Sequence, residues 1–210
     1  VYHTILGVSE IENRLVLEDL VSQDEIVDAN FQIVHYDSPD RRGVDVALLY
    51  RPDQFDYIDS ESLPFTFSPT QVKITLNQEE QDYFRTRDIL MVHGLIDGEH
   101  FAFYVAHLPS RIGGKGSDLR SRGAEIIYNH ASEMEKKYPG IKIVVMGDMN
   151  DNPTDESMTV WMHGKEDIKD VRQGDYFSPF TKMLADGYGS LAYQGSWNIY
   201  DVILANYDLT

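Results

Sequence analysis

The sequence predicts a mixed-sheet α/β domain, and three observations carry that prediction. Apolar runs of strand length recur along the chain, one long amphipathic helix interrupts them, and a hairpin turn and a helical crossover both join strands. Thr4 to Val8 has the length of a buried strand, and Glu12 to Val21 places Val16, Leu17, Leu20 and Val21 at helical spacing. Phe31 to His35 and Val44 to Tyr50 read as strands around the turn-rich Asp37-Ser38-Pro39-Asp40. Phe55 to Phe67 is interrupted by proline and partly extended. Ile89 to Ile96 and His100 to His107 flank Asp97-Gly98, a hairpin signal.

A Gly-rich loop follows, from Pro109 to Gly116. Ser117 is the expected N-cap of a helix with the stripe Leu119, Ala124, Ile127, Ala131 and Met134. Lys136 and Lys137 stand in its last turn, and Pro139-Gly140 stops it. Ile141 to Met146 is a buried strand running into Gly147-Asp148-Met149-Asn150. Ser190 to Tyr193 and Ile199 to Leu204 are two further strands. No internal repeat or linker is visible, so residues 1–210 read as a single domain.

Composition bounds the function. The 210 residues are 42% hydrophobic and 25% charged, enough to bury a core. No apolar run reaches the roughly 18 residues that a membrane span needs. No cysteine is present, which excludes disulfides and thiolate metal sites. Asp plus Glu is 35 against 18 Lys plus Arg, a net charge of −17 that repels polyanions at long range. No signal peptide is visible, and the chain starts at Val1 inside what reads as a strand, so compartment is not assigned.

Polar residues at strand ends are the candidates for chemistry. Asp148 and Asn150 lie two apart after an apolar strand, so both emerge on one side. A carboxylate there can deprotonate a water, and an amide can donate to a phosphoryl oxygen. The same residues also make an ordinary turn. Glu10 ends the first strand, where one carboxylate suits Mg²⁺ or simply a helix N-terminus. His107 closes a hairpin strand ahead of Arg111, Lys115, Arg120 and Arg122, a basic loop suited to phosphate or to solvent. Arg87 precedes a strand and can clamp a phosphate or pair with an acid. Asp201 lies in the last apolar strand, where a buried acid needs a partner.

In order, these segments resemble the endonuclease/exonuclease/phosphatase family, the fold of pancreatic deoxyribonuclease. Gly147-Asp148-Met149-Asn150-Asp151-Asn152-Pro153 is similar to its G-D-x-N segment, and Glu10 in Gly7-Val8-Ser9-Glu10-Ile11-Glu12-Asn13 falls on its metal ligand. Arg87 in Thr86-Arg87-Asp88 resembles the strand-initial arginine that faces the phosphate. His107-Leu108-Pro109-Ser110 resembles the catalytic histidine segment, and Asp201 in Trp197 to Ile203 the acid that orients a final histidine. The resemblance runs from Glu10 to Asp201. It lacks the family's Asn-bearing first strand and its closing Ser-Asp-His segment, so residues 1–210 are expected to be missing the outermost strands.

The resemblance implies a four-layer α/β (α+β) sandwich of two packed mixed sheets flanked by helices. It implies a hydrolase of phosphate esters, a phosphodiesterase or nuclease in which an Asp148-activated, metal-bound water attacks in line. Mg²⁺ or Mn²⁺ would sit on Glu10, Arg87 would anchor the phosphate, and His107 and Asn150 would stabilise developing charge. The implied substrate is a phosphodiester or phosphate ester, including DNA or RNA, with no protein partner indicated. A phosphatase or phosphodiesterase of phospholipid or small esters, and a non-catalytic binding module, are the alternatives. Glu10-Ile11-Glu12-Asn13 and the Pro-Ser-Arg loop look most like the extracellular bacterial branch, a lean toward secreted or periplasmic.

Overall fold

The computed structural model describes residues 2–111, 115–193 and 195–210. A small sheet has the order β1-β3-β2, from Ile5–Ile11 (β1), Gln32–His35 (β2) and Asp45–Tyr50 (β3), and is antiparallel throughout. The large sheet is mixed. It contains Asp56–Leu63 (β4), Ile89–Ile96 (β5), Glu99–His107 (β6), Lys142–Asp148 (β7), Gly164–Lys165 (β8), Tyr176–Phe177 (β9) and Asp201–Asn206 (β12). Its order is β4-β5-β6-β7-β12-β9-β8, with β6–β7 and β8–β9 parallel. Leu191–Tyr193 (β10) and Ser196–Asn198 (β11) make a separate hairpin.

Four layers follow from which faces are apolar. Arg14–Val21 (α1) lays Leu17 against Ala47 and Leu49 on the outer face of the small sheet. The inner face of that sheet, through Val34, Val46 and Leu48, packs on Leu90, Val92, Phe103 and Val105 of the large one. Ser117–Lys137 (α3) covers the far side of the large sheet with Ala124, Ile127, Ala131 and Met134 against Tyr104, Ile143 and Val145. Strand β3 is therefore buried on both faces, which explains the unbroken run Val46-Ala47-Leu48-Leu49. Each such valine or leucine side chain contributes about 1.5–3 kcal/mol by leaving water.

Most expected elements are present. Asp97 (φ 51) and Gly98 (φ 81) make the hairpin turn between β5 and β6. Asn13 caps α1 by accepting from Val16 N. Ser117 is not the N-cap of α3: Gly116 holds that position at φ 90, a left-handed turn that glycine adopts freely, and Ser117 is the first helical residue. Two short helices, Gln78–Tyr83 (α2) and Pro179–Ala185 (α4), lie outside the expected set. Helix α2 buries no residue and so has no apolar stripe, but the Asn77–Glu80 capping box marks its start.

Candidate active site

The crossover through α3 makes β6 and β7 parallel, and their register sets His107 opposite Asp148 at the strand ends. Antiparallel β12 then sets Asp201 opposite Asp148 on the other side. Three of the expected residues thus form one row across adjacent strands. The fourth comes from the other sheet. Ser9 pairs with Val46 and Ile11 with Asp45, so Glu10 is the extra residue of a bulge, at φ 60. A bulge re-aims a side chain, and here it brings Glu10 Oε1 to 3.3 Å from His107 Nδ1. His107 Nε2 lies 3.7 Å from Asp148 Oδ2.

The end of β7 and the loop after it are shaped by two residues at positive φ. Gly147 has φ 134, and a Cβ there would stand 2.0 Å from the Ala106 carbonyl oxygen, so no larger residue fits. Asn150 has φ 51, and its backbone N–H donates to Asp148 Oδ1 at 2.8 Å. Its side-chain amide donates to the Leu108 carbonyl at 2.9 Å. Asp148 and Asn150 therefore share one site, held together by a direct hydrogen bond.

Arg87 is buried, and three of its N–H groups are engaged. Nε donates to the His107 carbonyl at 3.1 Å, Nη2 to the Leu108 carbonyl at 2.9 Å, and Nη1 to Asp40 Oδ1 at 3.1 Å. Among the described residues the two other N–H groups of Arg87 have no hydrogen-bond acceptor. Asp40, expected only as a turn residue, and Arg42, which no pattern in the sequence singles out, are site neighbours. Arg42 reaches Glu10 Oε1 at 3.1 Å and Asp40 Oδ2 at 3.6 Å. The turn carrying them is pinned by Asp45, which accepts from Ser38 N at 2.9 Å and Ser38 Oγ at 2.6 Å and meets His35 Nε2 at 3.0 Å.

Asp201 differs from its expected setting. It opens β12 and is exposed, so it is not a buried acid in need of a partner. With Ser9, Gly147 and Asp148 it lines a cleft of about 450 Å³ between β1 and the β7–β12 pair. The basic loop is also not a free phosphate cradle among the described residues. Arg120 is buried on Asp151 at 2.6 Å and on the carbonyls of Pro109, Ser110 and Lys115. Arg122 pairs with Glu125, and Arg111 with Asp155. Gly113 and Gly114 lie outside the described residues.

Burial and neighbouring charge tune the row. Burial, helped by the Arg87 cation, pushes the His107 imidazole down to about 4, so the ring is neutral at neutral pH. Its Nδ1 is buried and makes no hydrogen bond, because the 3.3 Å approach of Glu10 is close enough for attraction but poorly angled. Burial raises the Asp148 carboxyl from its ordinary value. The Asn150 N–H opposes that shift, and the Asp201 charge adds to it.

The donor set fits a hard divalent cation. The Glu10 side chain is 52% exposed and is held by the exposed end of Arg42, and Mg²⁺ binds through one or two carboxylates with water and substrate filling the rest. Among the described residues the group of three tightly spaced His and acid donors is elsewhere, at His35, Asp37 and Asp45. There Asp45 is already occupied by Ser38 and His35.

The Endonuclease/Exonuclease/phosphatase family model matches residues 2–210. No curated protein sequence matches the chain. Solved structures similar in fold include the human Nocturnin catalytic domain with bound sulfate, at TM-score 0.64 and 16% identity over 97% of this chain and 69% of that one. Truncated Caenorhabditis elegans TDP2 has TM-score 0.62 and 16% identity over 97% and 71%. ANGEL2, a 2′,3′-cyclic phosphatase, has TM-score 0.67 and 12% identity over 97% and 69%. At these identities the likeness concerns the fold. A family match over nearly the whole sequence, on a four-layer sandwich of the same fold, shows that this chain belongs to the endonuclease/exonuclease/phosphatase family.

Proposed function

We propose that this protein is a divalent-metal-dependent phosphodiesterase acting as a nuclease, with Glu10, Arg87, His107, Asp148, Asn150 and Asp201 as its site. The observation that carries the reading is convergence: a bulge on one sheet and two strand ends on the other bring Glu10, His107 and Asp148 into contact. When bound at Glu10, Mg²⁺ or Mn²⁺ supplies positive charge that polarises the phosphoryl group and stabilises the leaving oxygen.

Asp148 is the group that accepts the proton of the attacking water. Its raised pKa makes it a stronger base than an ordinary carboxylate. Asn150 Nδ2 and a neutral His107 are the preorganised donors for developing charge. Arg87 holds the His107–Leu108 turn through two carbonyls, and its two remaining N–H groups are those available to the phosphate. Asp201 acts on Asp148 through its charge.

The net charge of −17 favours a second reading, a phosphatase or phosphodiesterase of phospholipid or small phosphate esters, because long-range repulsion slows encounter with a polyanion. Plasmid nicking by the protein with its full natural chain, with Mg²⁺ against EDTA, separates the two. Metal-dependent nicking is the expected result. Hydrolysis of small esters without nicking would move the assignment to the second reading, and hydrolysis of neither would leave a binding module.

A further inference from the structure

Acids outnumber cations 35 to 18, yet among the described residues the side chains of Arg41, Arg85 and Arg172 bond only to backbone carbonyls. Two stand side by side, one step from the site. The segment Asp40-Arg41-Arg42 lies against Tyr83 to Arg87, joined by Arg87 Nη1 to Asp40 at 3.1 Å and by Arg41 Nη2 to the Tyr83 carbonyl at 2.6 Å. From these two segments Arg42 and Arg87 turn to the site, onto Glu10 and the His107 carbonyl. Arg41 and Arg85 turn the other way. With Tyr83, Phe84 and Leu76 they line a separate cleft of about 430 Å³.

Within the described residues, the hydrogen bonds of Arg41 and Arg85 go only to backbone carbonyls, those of Asp82, Tyr83 and Phe84, at 2.6 to 3.3 Å. Both are exposed, and neither has an ion pair. Tyr83 is 63% exposed on the rim of the same cleft. Two guanidiniums free of ion pairs beside a solvent-facing aromatic ring are groups that can hold a single nucleic-acid strand. The backbone follows the charge, and a base stacks on the ring whatever its identity. A duplex would not offer an unstacked base to Tyr83.

Resting on the nuclease reading above, we propose that this cleft is a subsite for a single-stranded flank of the substrate. The phosphate beyond the scissile one lies on Arg41 and Arg85, and its base stacks on Tyr83. The local cations answer the repulsion set by the net charge, since the field that matters at contact is that of the nearest groups. Glu79 and Glu80 line the same cleft and oppose binding, Glu80 being turned to the Asn77 N–H at 2.8 Å in the capping box of α2.

The test is fluorescence anisotropy of a labelled single-stranded oligonucleotide of about ten nucleotides in EDTA, so that binding is read without cleavage. Glutamine keeps a donor for the helix-end carbonyls but removes the charge. The expected result for Arg41→Gln/Arg85→Gln is at least about tenfold weaker binding and a log K against log salt slope shallower by about 0.7, the value for one lost phosphate contact on a single strand. Tyr83→Ala is expected to lose about fivefold or more and Tyr83→Phe to bind like the parent. Hydrolysis of bis(p-nitrophenyl) phosphate, too small to reach the cleft, should be unchanged in all of these variants. Equal oligonucleotide affinity and slope in parent and variants would overturn the subsite while leaving the hydrolase standing. Loss of small-ester hydrolysis in parallel with binding would reduce both arginines to helix-end caps. Absence of metal-dependent hydrolysis in the parent, with the binding losses intact, would overturn the nuclease reading and keep the strand site.

Discussion

Arg87 and Asn150 donate to the same atom, the Leu108 carbonyl oxygen, each at 2.9 Å. Both lone pairs of that oxygen are thereby used, and the turn after His107 is tied to the segment before β5 and to the loop after β7. Three sequence regions that differ by 21 and 42 positions are locked at one point. This lock sets where His107 stands relative to Asp148.

Asn150 contributes through its backbone angle and its amide separately. Asn150→Ala removes the amide and places an alanine at φ 51, where a Cβ is strained by about 1–2 kcal/mol. Asn150→Gly removes the amide but not the permitted angle. Thermal melting should show the alanine variant as the less stable of the two by about 1 kcal/mol. Turnover should fall about a hundredfold or more in both, the loss expected for one preorganised donor. Equal stability would show that the left-handed angle is not held in solution.

Arg87→Lys keeps the charge but cannot reach two carbonyls and Asp40 at once. It should cost about 2–4 kcal/mol in chemical denaturation, because buried acceptors and the Asp40 charge lose their donor. Loss of catalysis without loss of stability would instead make Arg87 a phosphate ligand first.

Stability should depend on pH through His107. Its folded pKa, about 4, is below the 6.5 of an unfolded histidine, so the unfolded chain binds the extra proton between those values. Stability contributed by the neutral ring is present above pH 6.5 and is lost as pH falls toward 4. The slope is about 1.4 kcal/mol per pH unit. Urea denaturation in EDTA across that window should show the slope in the parent and lose it in His107→Gln. A slope that survives the substitution would move the effect to another group.

Asp201 raises the pKa of Asp148 by like charge across paired strands. Asp201→Asn should therefore shift the acid limb of the pH–rate profile to lower pH, since a weaker base is ionised sooner. An unmoved limb would separate Asp201 from proton transfer.

Much of this site was legible in the sequence, for a physical reason. His107 and Asp148 stand where long apolar strands stop, and a polar group at that boundary is aimed by the sheet itself. The stripe of α3 and the Asp97-Gly98 turn were legible because both are local patterns. Asp40 and Arg42 were not, because their placement depends on Asp45 and Arg87, contacts across the fold that leave no periodicity. The exposure of Asp201 was missed because it begins its strand, where the apolar run suggested an interior. The basic loop misled for a related reason: Arg120 looks free in sequence and is buried on Asp151, 31 positions away.

The most direct measurement is the single-turnover rate of Asp148→Ala against the parent, in the protein with its full natural chain, on a labelled phosphodiester at saturating Mg²⁺. Melting curves would confirm that both are folded. If Asp148 is the group that takes the proton of the attacking water, the variant should be slower by several orders of magnitude, with substrate binding largely retained. A folded variant that cleaves within about tenfold of the parent would contradict this assignment and remove Asp148 from the chemistry.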